Sequence, residues 1–471
     1  MSVADGGGAV GGGADGGGAV GEPPRTVFAL SSGAVPSGVA VVRVTGRAAG
    51  VALDRLAGPR PRPRRAALRP IGPADDPIDR GLVLWFPGPD SATGEDVAEF
   101  HLHGGRAVVG AVLDALAGLP DLRPAEPGEF TKRAFLNDRI DLTEAEGIGD
   151  LVAAETEAQR RQALRQMGGG LRALYDAWRG RLVRALAYLE ADLEFPDEDL
   201  PDGVSSTVRA TVARLAAEIA DHLADGRAAE RVRTGIAVAI LGAPNAGKST
   251  LLNVLARRDA AIVSPVAGTT RDVVEVHLDL AGLPVTLWDT AGLRHARDPV
   301  EAEGVRRSLA RAEAADLRLV VLDGAAWPAV PPSVAPMLAG AGPGQDPLIV
   351  WAKADLRNDA GPANAVLRTE APDGLWIAAP TGTGLDRLEA ALAERVAGLA
   401  TLAGGLAPTR SRHRAALIET LAALARVQSA EALELAAEDL RLAAAALGRI
   451  TGRVDVEDLL DVVFRDFCIG K

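Results

Sequence analysis

Residues 242 to 250 read GAPNAGKST, directly after the apolar IAVAILG and before TLLNVLA. The run fits G-x-x-x-x-G-K-[ST] in the strand-to-helix setting that the pattern requires. Backbone amides of Ala246, Gly247, Ser249 and Thr250 can cradle phosphate oxygens, and the helix N-terminus favours their negative charge. Lys248 suits β- and γ-phosphates, and Ser249 suits Mg²⁺. Further on, WDTAG at 288–292 closes the next apolar strand but one. Asp289 is placed for the Mg²⁺ shell, and the Gly292 amide can sense a γ-phosphate. The intervening SPVAGTTRD, 264–272, can bring Thr270 onto Mg²⁺. Leu293 follows Gly292 and cannot hydrogen-bond an attacking water. Asp298, Glu301 and Glu303 are candidates for that task, and their spacing does not choose among them.

IVWAKADL, 349–356, carries the base chemistry. Guanine readers usually show Asn-Lys-x-Asp there, and this chain has Ala352, Lys353, Ala354 and Asp355. Asp355 can accept two hydrogen bonds from the N1–H and exocyclic amine edge of guanine, which adenine does not offer. Lys353 can lay its stem along the base. In AAPTGTG, 378–384, Ala379 still offers an amide to the guanine carbonyl, but Ala378 has no hydroxyl to brace the loop. A lost neutral hydrogen bond costs roughly 0.5–1.5 kcal/mol. The expectation is a loosened site that keeps its preference for guanine.

These motifs need an alternating framework. Between 233 and 397 apolar strands alternate with helices, which implies a doubly wound parallel sheet. On either side the chain is helical, over 137–232 and 398–471, so the α/β unit is inserted into a helical domain. In the first flank Leu171, Leu174, Tyr175, Trp178, Leu182, Leu186 and Leu189 trace one helix face, the core of a bundle. Residues 22–136 mix strand and helix signals as an α+β domain, and 1–21 form a glycine-rich tail without fold signals.

Composition narrows the class. A net charge of −12 argues against grip on nucleic acid through a broad basic surface. No apolar run approaches the ~20 residues that span a bilayer. The single cysteine, Cys468, fits a reducing cytoplasm. Of 51 basic residues only four are lysines, Lys132, Lys248, Lys353 and Lys471. A compact ammonium is needed where a guanidinium fork does not fit, and two of the four fall in the nucleotide motifs.

The phosphate loop, GTTRD, DTAGL and KAD on an α/β unit between helical segments resemble the MnmE (TrmE) family of tRNA modification GTPases. WFPGPDSATGEDV, HGG, PGEFTKRAFLNDRIDLTEAEGI and FCIGK extend the resemblance beyond the nucleotide motifs. It implies a Ras-like P-loop G domain inserted in a discontinuous helical bundle, behind an N-terminal α+β domain that binds 5-formyl- or methylene-tetrahydrofolate. It also implies a homodimer working with the FAD-containing MnmG (GidA) protein on C5 of the wobble uridine of certain tRNAs. Carried over by position, Arg43, Glu99, Arg139 and Lys471 would contact folate. Asn245, Thr269 and the carbonyls near Ser264 and Val266 would hold K⁺. Glu301 would help orient the attacking water. Leu102 in HLHGG stands where the family usually has a smaller residue.

Cys468 is a candidate nucleophile, because thiolates attack one-carbon units and uridine C6. Beside Phe467 and Ile469 it also reads as a packed small hydrophobe. The basic run PRPRPRR, 59–65, could meet tRNA, although its prolines suggest a solvated connector. A competing reading is a folate- and partner-binding scaffold whose G domain binds nucleotide without cycling. Retention of Lys248, Ser249, Thr270, Asp289 and Glu301 favours the enzyme.

Overall fold

A computed structural model describes residues 25–194, 204–258, 260–262, 275–289, 315–332, 334–338, 346–356, 372–400, 405–454, 460, 463–464 and 467–470. Two compact units emerge, one running up to Ile140 and joined by the segment from Leu460, the other spanning Asp141–Leu459.

The first unit is a six-stranded sheet in the order β3-β4-β5-β2-β1-β6. Its elements are β1 (Thr26–Leu30), β2 (Ser37–Thr45), α1 (Ala49–Ala57), β3 (Ala67–Ile71), β4 (Asp79–Phe86), β5 (Val97–Gly104), α2 (Arg106–Ala117), β6 (Leu122–Pro124) and α3 (Glu129–Leu136). All pairs are antiparallel except β1 with β6. Side chains alternate across a strand. Val42, Val44, Ala98 and Phe100 therefore face Leu53 and Leu56 of α1 and Leu116 of α2 in one core. Leu102 belongs to that core and is buried, which accounts for a large apolar residue there. The opposite parity puts Arg43, Glu99 and His101 on the other face.

The chain from Leu460 does not complete the helical bundle, as a continuous 398–471 segment would. Ile469 bridges Pro127, the Gly128 amide donates to the Cys468 carbonyl at 3.4 Å, and the Ser31 hydroxyl donates to the Gly470 carbonyl at 2.9 Å. Gly470 sits at φ 97, and a Cβ there would lie 2.2 Å from the Leu30 carbonyl. Only glycine allows so close an approach. The final motif is thereby fitted to the first unit by backbone contacts.

The second unit contains α4 (Leu142–Ala153), α5 (Glu157–Met167), α6 (Gly170–Glu194), α7 (Val204–Ala224) and α8 (Gly226–Thr234) before its sheet. The sheet elements are β7 (Ile236–Leu241), α9 (Lys248–Leu255), β8 (Glu275–Leu280), β9 (Leu283–Asp289), β10 (Leu317–Asp323), β11 (Leu348–Ala352) and β12 (Leu375–Trp376). Then follow α10 (Leu385–Leu399), α11 (Ser411–Ser429) and α12 (Leu433–Thr451). Asp141 and Glu144 close a capping box on α4, and Thr156 and Gln159 another on α5, as D-x-x-E and T-x-x-Q spacing allows. Leu171, Tyr175, Trp178, Leu182 and Leu189 of α6 are buried with Leu215, Leu417, Leu424 and Leu440, while Leu174 and Leu186 pack at the margin. The expected face is the buried one.

The sheet runs β12-β11-β10-β7-β9-β8, parallel except for the β8–β9 hairpin. β7 is buried almost throughout and β10 over its central Leu319–Leu322, as strands covered on both faces must be. α8 ties the insertion to the helices. Arg233 Nε donates to the Thr409 carbonyl at 2.8 Å, Gln159 Nε2 donates to the Arg233 carbonyl at 3.1 Å, and Arg231 meets Asp316 at 2.7 Å.

Beneath this junction lies a buried charge cluster. Glu146 is 2% exposed, with Oε1 2.6 Å from Arg412 Nε and Oε2 2.9 Å from Nε2 of the fully buried His413. Arg410 bridges Glu146 and Asp150. Next to the cluster, the Tyr175 hydroxyl is 3.0 Å from His222 Nε2, and His222 stands edge-on to Trp178.

Burial pushes His222 down to about 4, and the neighbouring His413 adds to it against the pull of Asp225. The unfolded chain takes up that proton first, from about pH 6.5. The contribution of His222 is therefore complete above pH 6.5 and is lost as pH falls towards 4. His222→Phe is expected to make the urea midpoint fall less steeply than in the parent over that window. Equal slopes would show that His222 does not report its burial through stability.

Candidate functional site

The phosphate loop leaves β7 through Gly242, at φ 144, where a Cβ would stand 2.2 Å from the Val321 carbonyl. Asn245 takes φ 62 and Gly247 φ 104, so the loop turns its amides inward before α9 begins at Lys248. Lys248 is only 4% exposed, and its Nζ donates to the carbonyls of Gly242 at 2.9 Å and Ala243 at 2.7 Å. A buried ammonium held by the loop's own carbonyls is poised for phosphate oxygens. Ala246 is buried under the loop, while Asn245, Ser249 and Thr250 are exposed at its rim. Asp289 ends β9 in register with Ile240 of β7, beside the loop.

The base loop meets the phosphate loop directly. A Cβ on Gly247 would be 3.4 Å from that of Ala352, which is 3% exposed. Lys353 is at φ 58, and its Nζ pairs with Asp323 Oδ2 at 2.7 Å. The Ala354 amide donates to the Ile377 carbonyl at 3.0 Å, which joins this loop to the one holding Ala379. Asp355 is exposed in the turn Ala354–Leu356.

Sequence reasoning counted both bracing side chains as lost, and the structure shows other braces. The Ala378 amide donates to the Thr383 carbonyl at 2.9 Å, and the Thr381 hydroxyl donates to the Ala378 carbonyl at 3.3 Å. Behind them Trp351 and Trp376 stack at 5.6 Å, with Trp327 edge-on to Trp376 at 6.2 Å. Asp323, Thr381 and Trp376 carried no motif. The one available signal was an aspartate ending the apolar strand LRLVVLD.

Ser264, Val266, Thr269, Thr270, Gly292, Glu301 and Lys471, with the Asp289 side chain, lie outside the described residues. Among the described residues no group of three His, Cys, Asp or Glu side chains could hold a metal ion. The loop's own donors, the Ser249 hydroxyl and the Asn245 amide oxygen, are hard oxygens of the kind that suit Mg²⁺ and K⁺ rather than soft metals.

In the first unit Arg43 and Glu99 are register partners on β2 and β5, joined at 2.9 Å. His101 Nε2 is 3.1 Å from the second oxygen of Glu99, and the Arg43 guanidinium lies 5.9 Å from the Phe130 ring centre. Arg139 is exposed and packs beside Gly94; among the described residues no hydrogen bond or ion pair joins it to the Arg43–Glu99 pair. Cys468 is exposed and lines an apolar cleft of about 580 Å³ with Leu30, Ala34, Leu113, Pro124 and Ile469. His101 was not foreseen, because its neighbour Glu99 is met only once the strand direction is known.

A phosphate loop closing on its own lysine at the end of a parallel strand, with a base-reading loop against it, defines a P-loop nucleotide-binding protein. Residues 142–468 match the family model of the MnmE helical domain, and residues 26–139 that of the GTP-binding protein TrmE N-terminus. The chain belongs to the MnmE family of tRNA modification GTPases. The tRNA modification GTPase MnmE of Parvibaculum lavamentivorans is 54% identical over 460 residues, covering 95% of this chain and 100% of that protein. The protein of the same name from Paramagnetospirillum magneticum is 53% identical, with 95% and 100% covered, and that of Rhodospirillum rubrum 54%, with 95% and 99% covered. Among the described residues no helix is long and apolar enough to cross a membrane.

Proposed function

We propose that the chain is a potassium-activated GTPase acting in the modification of C5 of the wobble uridine of certain tRNAs. It would work as a cytoplasmic homodimer with an FAD-containing MnmG-type partner and a tetrahydrofolate one-carbon unit. The observation that carries the nucleotide part is the buried Lys248 ammonium inside a loop in contact with Ala352. Lys248 holds positive charge against the β- and γ-phosphates. Ser249, Thr270 and Asp289 would hold Mg²⁺, with Gly292 on the γ-phosphate. Asn245, Ser264, Val266 and Thr269 would hold K⁺, and Glu301 would orient the attacking water. A bound K⁺ supplies the positive charge that an arginine finger supplies elsewhere. Asp355, Lys353 and Ala379 would read guanine.

The folate part rests on Arg43, Glu99 and Arg139 with Lys471. A pteridine bearing a glutamate calls for a carboxylate beside cations, and the half-buried Arg43–Glu99 pair provides both on one sheet face. Cys468 remains a candidate nucleophile.

The test is GTP turnover with excess Mg²⁺, in K⁺ and then in Na⁺ at equal ionic strength. Fast turnover in K⁺ and little in Na⁺ is expected. Negligible turnover in both would favour a nucleotide-binding scaffold. A second expectation concerns Ala352. An asparagine there would face the Gly247 backbone, so Ala352→Asn should tighten GDP binding roughly three- to tenfold, the worth of one neutral hydrogen bond. Titration with labelled GDP measures this. Unchanged or weaker binding would show that Asp323, Thr381 and the tryptophan stack already brace the loop.

A further inference from the structure

Residues 55–69, from the last turn of α1 into β3, hold Arg55, Arg60, Arg62, Arg64, Arg65 and Arg69 and no Asp or Glu, in a chain of net charge −12. The run is not a free connector. The Arg60 guanidinium lies 5.3 Å from the Trp85 ring centre and pairs with Asp54 at 3.0 Å. The Arg64 amide donates to the Trp85 carbonyl at 2.9 Å, while its guanidinium rests 5.9 Å from the Phe86 ring centre and donates to the Asp90 carbonyl. The Arg65 amide returns to the Arg62 carbonyl at 3.1 Å, closing a turn with Pro63 and Arg64 at its centre. Arg64 takes φ 61 in that turn, a position that favours glycine or asparagine. An arginine kept in left-handed backbone by three contacts is an anchored feature, and such outliers concentrate where a surface has a task.

What the anchors leave outward is specific. Arg62 and Arg65 are exposed, and among the described residues neither has an acidic partner; Arg55 nearby is also exposed and unpaired. Two guanidinium forks set by one tight turn suit phosphate oxygens, which accept paired N–H donors. We infer that this arginine turn grips the phosphate backbone of an RNA, with Arg62 and Arg65 as the phosphate-binding pair. The inference rests on the reading that tRNA is a substrate. It adds where the chain holds the RNA, through contacts that fix position without reading sequence.

The test uses the full chain and unfractionated tRNA, with Kd measured by fluorescence anisotropy from 0.05 to about 0.3 M salt. Arg62→Ala/Arg65→Ala is expected to weaken binding roughly ten- to a hundredfold at 0.1 M salt and to lower the salt slope by about two. Arg62→Lys/Arg65→Lys, which keeps the charge, should retain most of the slope. Arg184→Ala/Arg214→Ala, an equal charge change on exposed positions of α6 and α7, should leave Kd nearly unchanged. Melting curves of each variant establish that it is folded.

Parent-like Kd and slope in Arg62→Ala/Arg65→Ala would overturn the inference, as would an equal loss in the Arg184/Arg214 pair. Loss of binding to phosphatidylserine vesicles without loss of tRNA binding would also overturn it, and would assign the turn to a membrane surface. Failure of the parent chain to bind tRNA would remove the tRNA reading as well, independently of its GTP turnover.

Discussion

Lys248→Ala should abolish most GTP turnover, lowering kcat about 10²- to 10³-fold, while leaving the protein folded. A preorganised charge in a site closed to water is worth that much in similar settings. The ammonium is 4% exposed and donates to two carbonyls of its own loop, which fixes it where phosphate oxygens would arrive. Lys248→Arg should not rescue. The Gly242 and Ala243 carbonyls at 2.9 and 2.7 Å converge on one nitrogen, a geometry that suits a compact point charge and that a planar fork does not reproduce. The scarcity of lysine in an arginine-rich chain agrees with that constraint. Single-turnover hydrolysis at saturating MgGTP measures the effect. A parent-like rate in Lys248→Ala would remove the phosphate loop from the chemistry.

Glu146→Gln should be the most damaging change for stability, costing about 3–5 kcal/mol, as expected when one member of a buried ionic cluster is removed. Burial alone would raise this carboxyl. The Arg412 and His413 charges and their hydrogen bonds overcome that and hold it far below the carboxylate range. Without its charge, Arg412 remains largely buried and Arg410 keeps only Asp150. The readout is the melting temperature of the second unit, followed by far-UV circular dichroism of its helices. Glu157→Gln is the contrast. Glu157 also pairs with two arginines, Arg160 and Arg161, but in solvent, where such pairs contribute little. Equal effects of the two changes would contradict the burial argument.

Legibility follows the reach of each interaction. The phosphate loop could be read because phosphate cradling demands glycine at fixed offsets within nine residues. The α6 face could be read because helical spacing is local, and the parallel sheet because its strands are apolar throughout. Glu146 and His413 stand 267 positions apart, and neither carries a pattern that names the other. The same holds for Lys353 with Asp323, and for Thr381 beneath Ala378. Short-range composition also misled in places. PRPRPRR is exposed as its prolines suggested, but as a connector it was misjudged, because Trp85 and Phe86, brought in by β4, hold Arg60 and Arg64 in place. The residues after 398 looked like one helical segment, although the last of them are bound by backbone contacts to Pro127, Gly128 and Leu30.

That final attachment sets an order on biosynthesis. The ribosome delivers the sheet of the first unit early and all of Asp141–Leu459 before the residues that complete it. Domains generally form as they emerge, so the early sheet must wait with Leu30, Ser31, Pro127 and Gly128 lacking their later partners. The vacancy is filled only when Cys468, Ile469 and Gly470 leave the exit tunnel. A chain cut short between Leu460 and Gly470 would therefore be faulty in its first domain, with its inserted sheet already made.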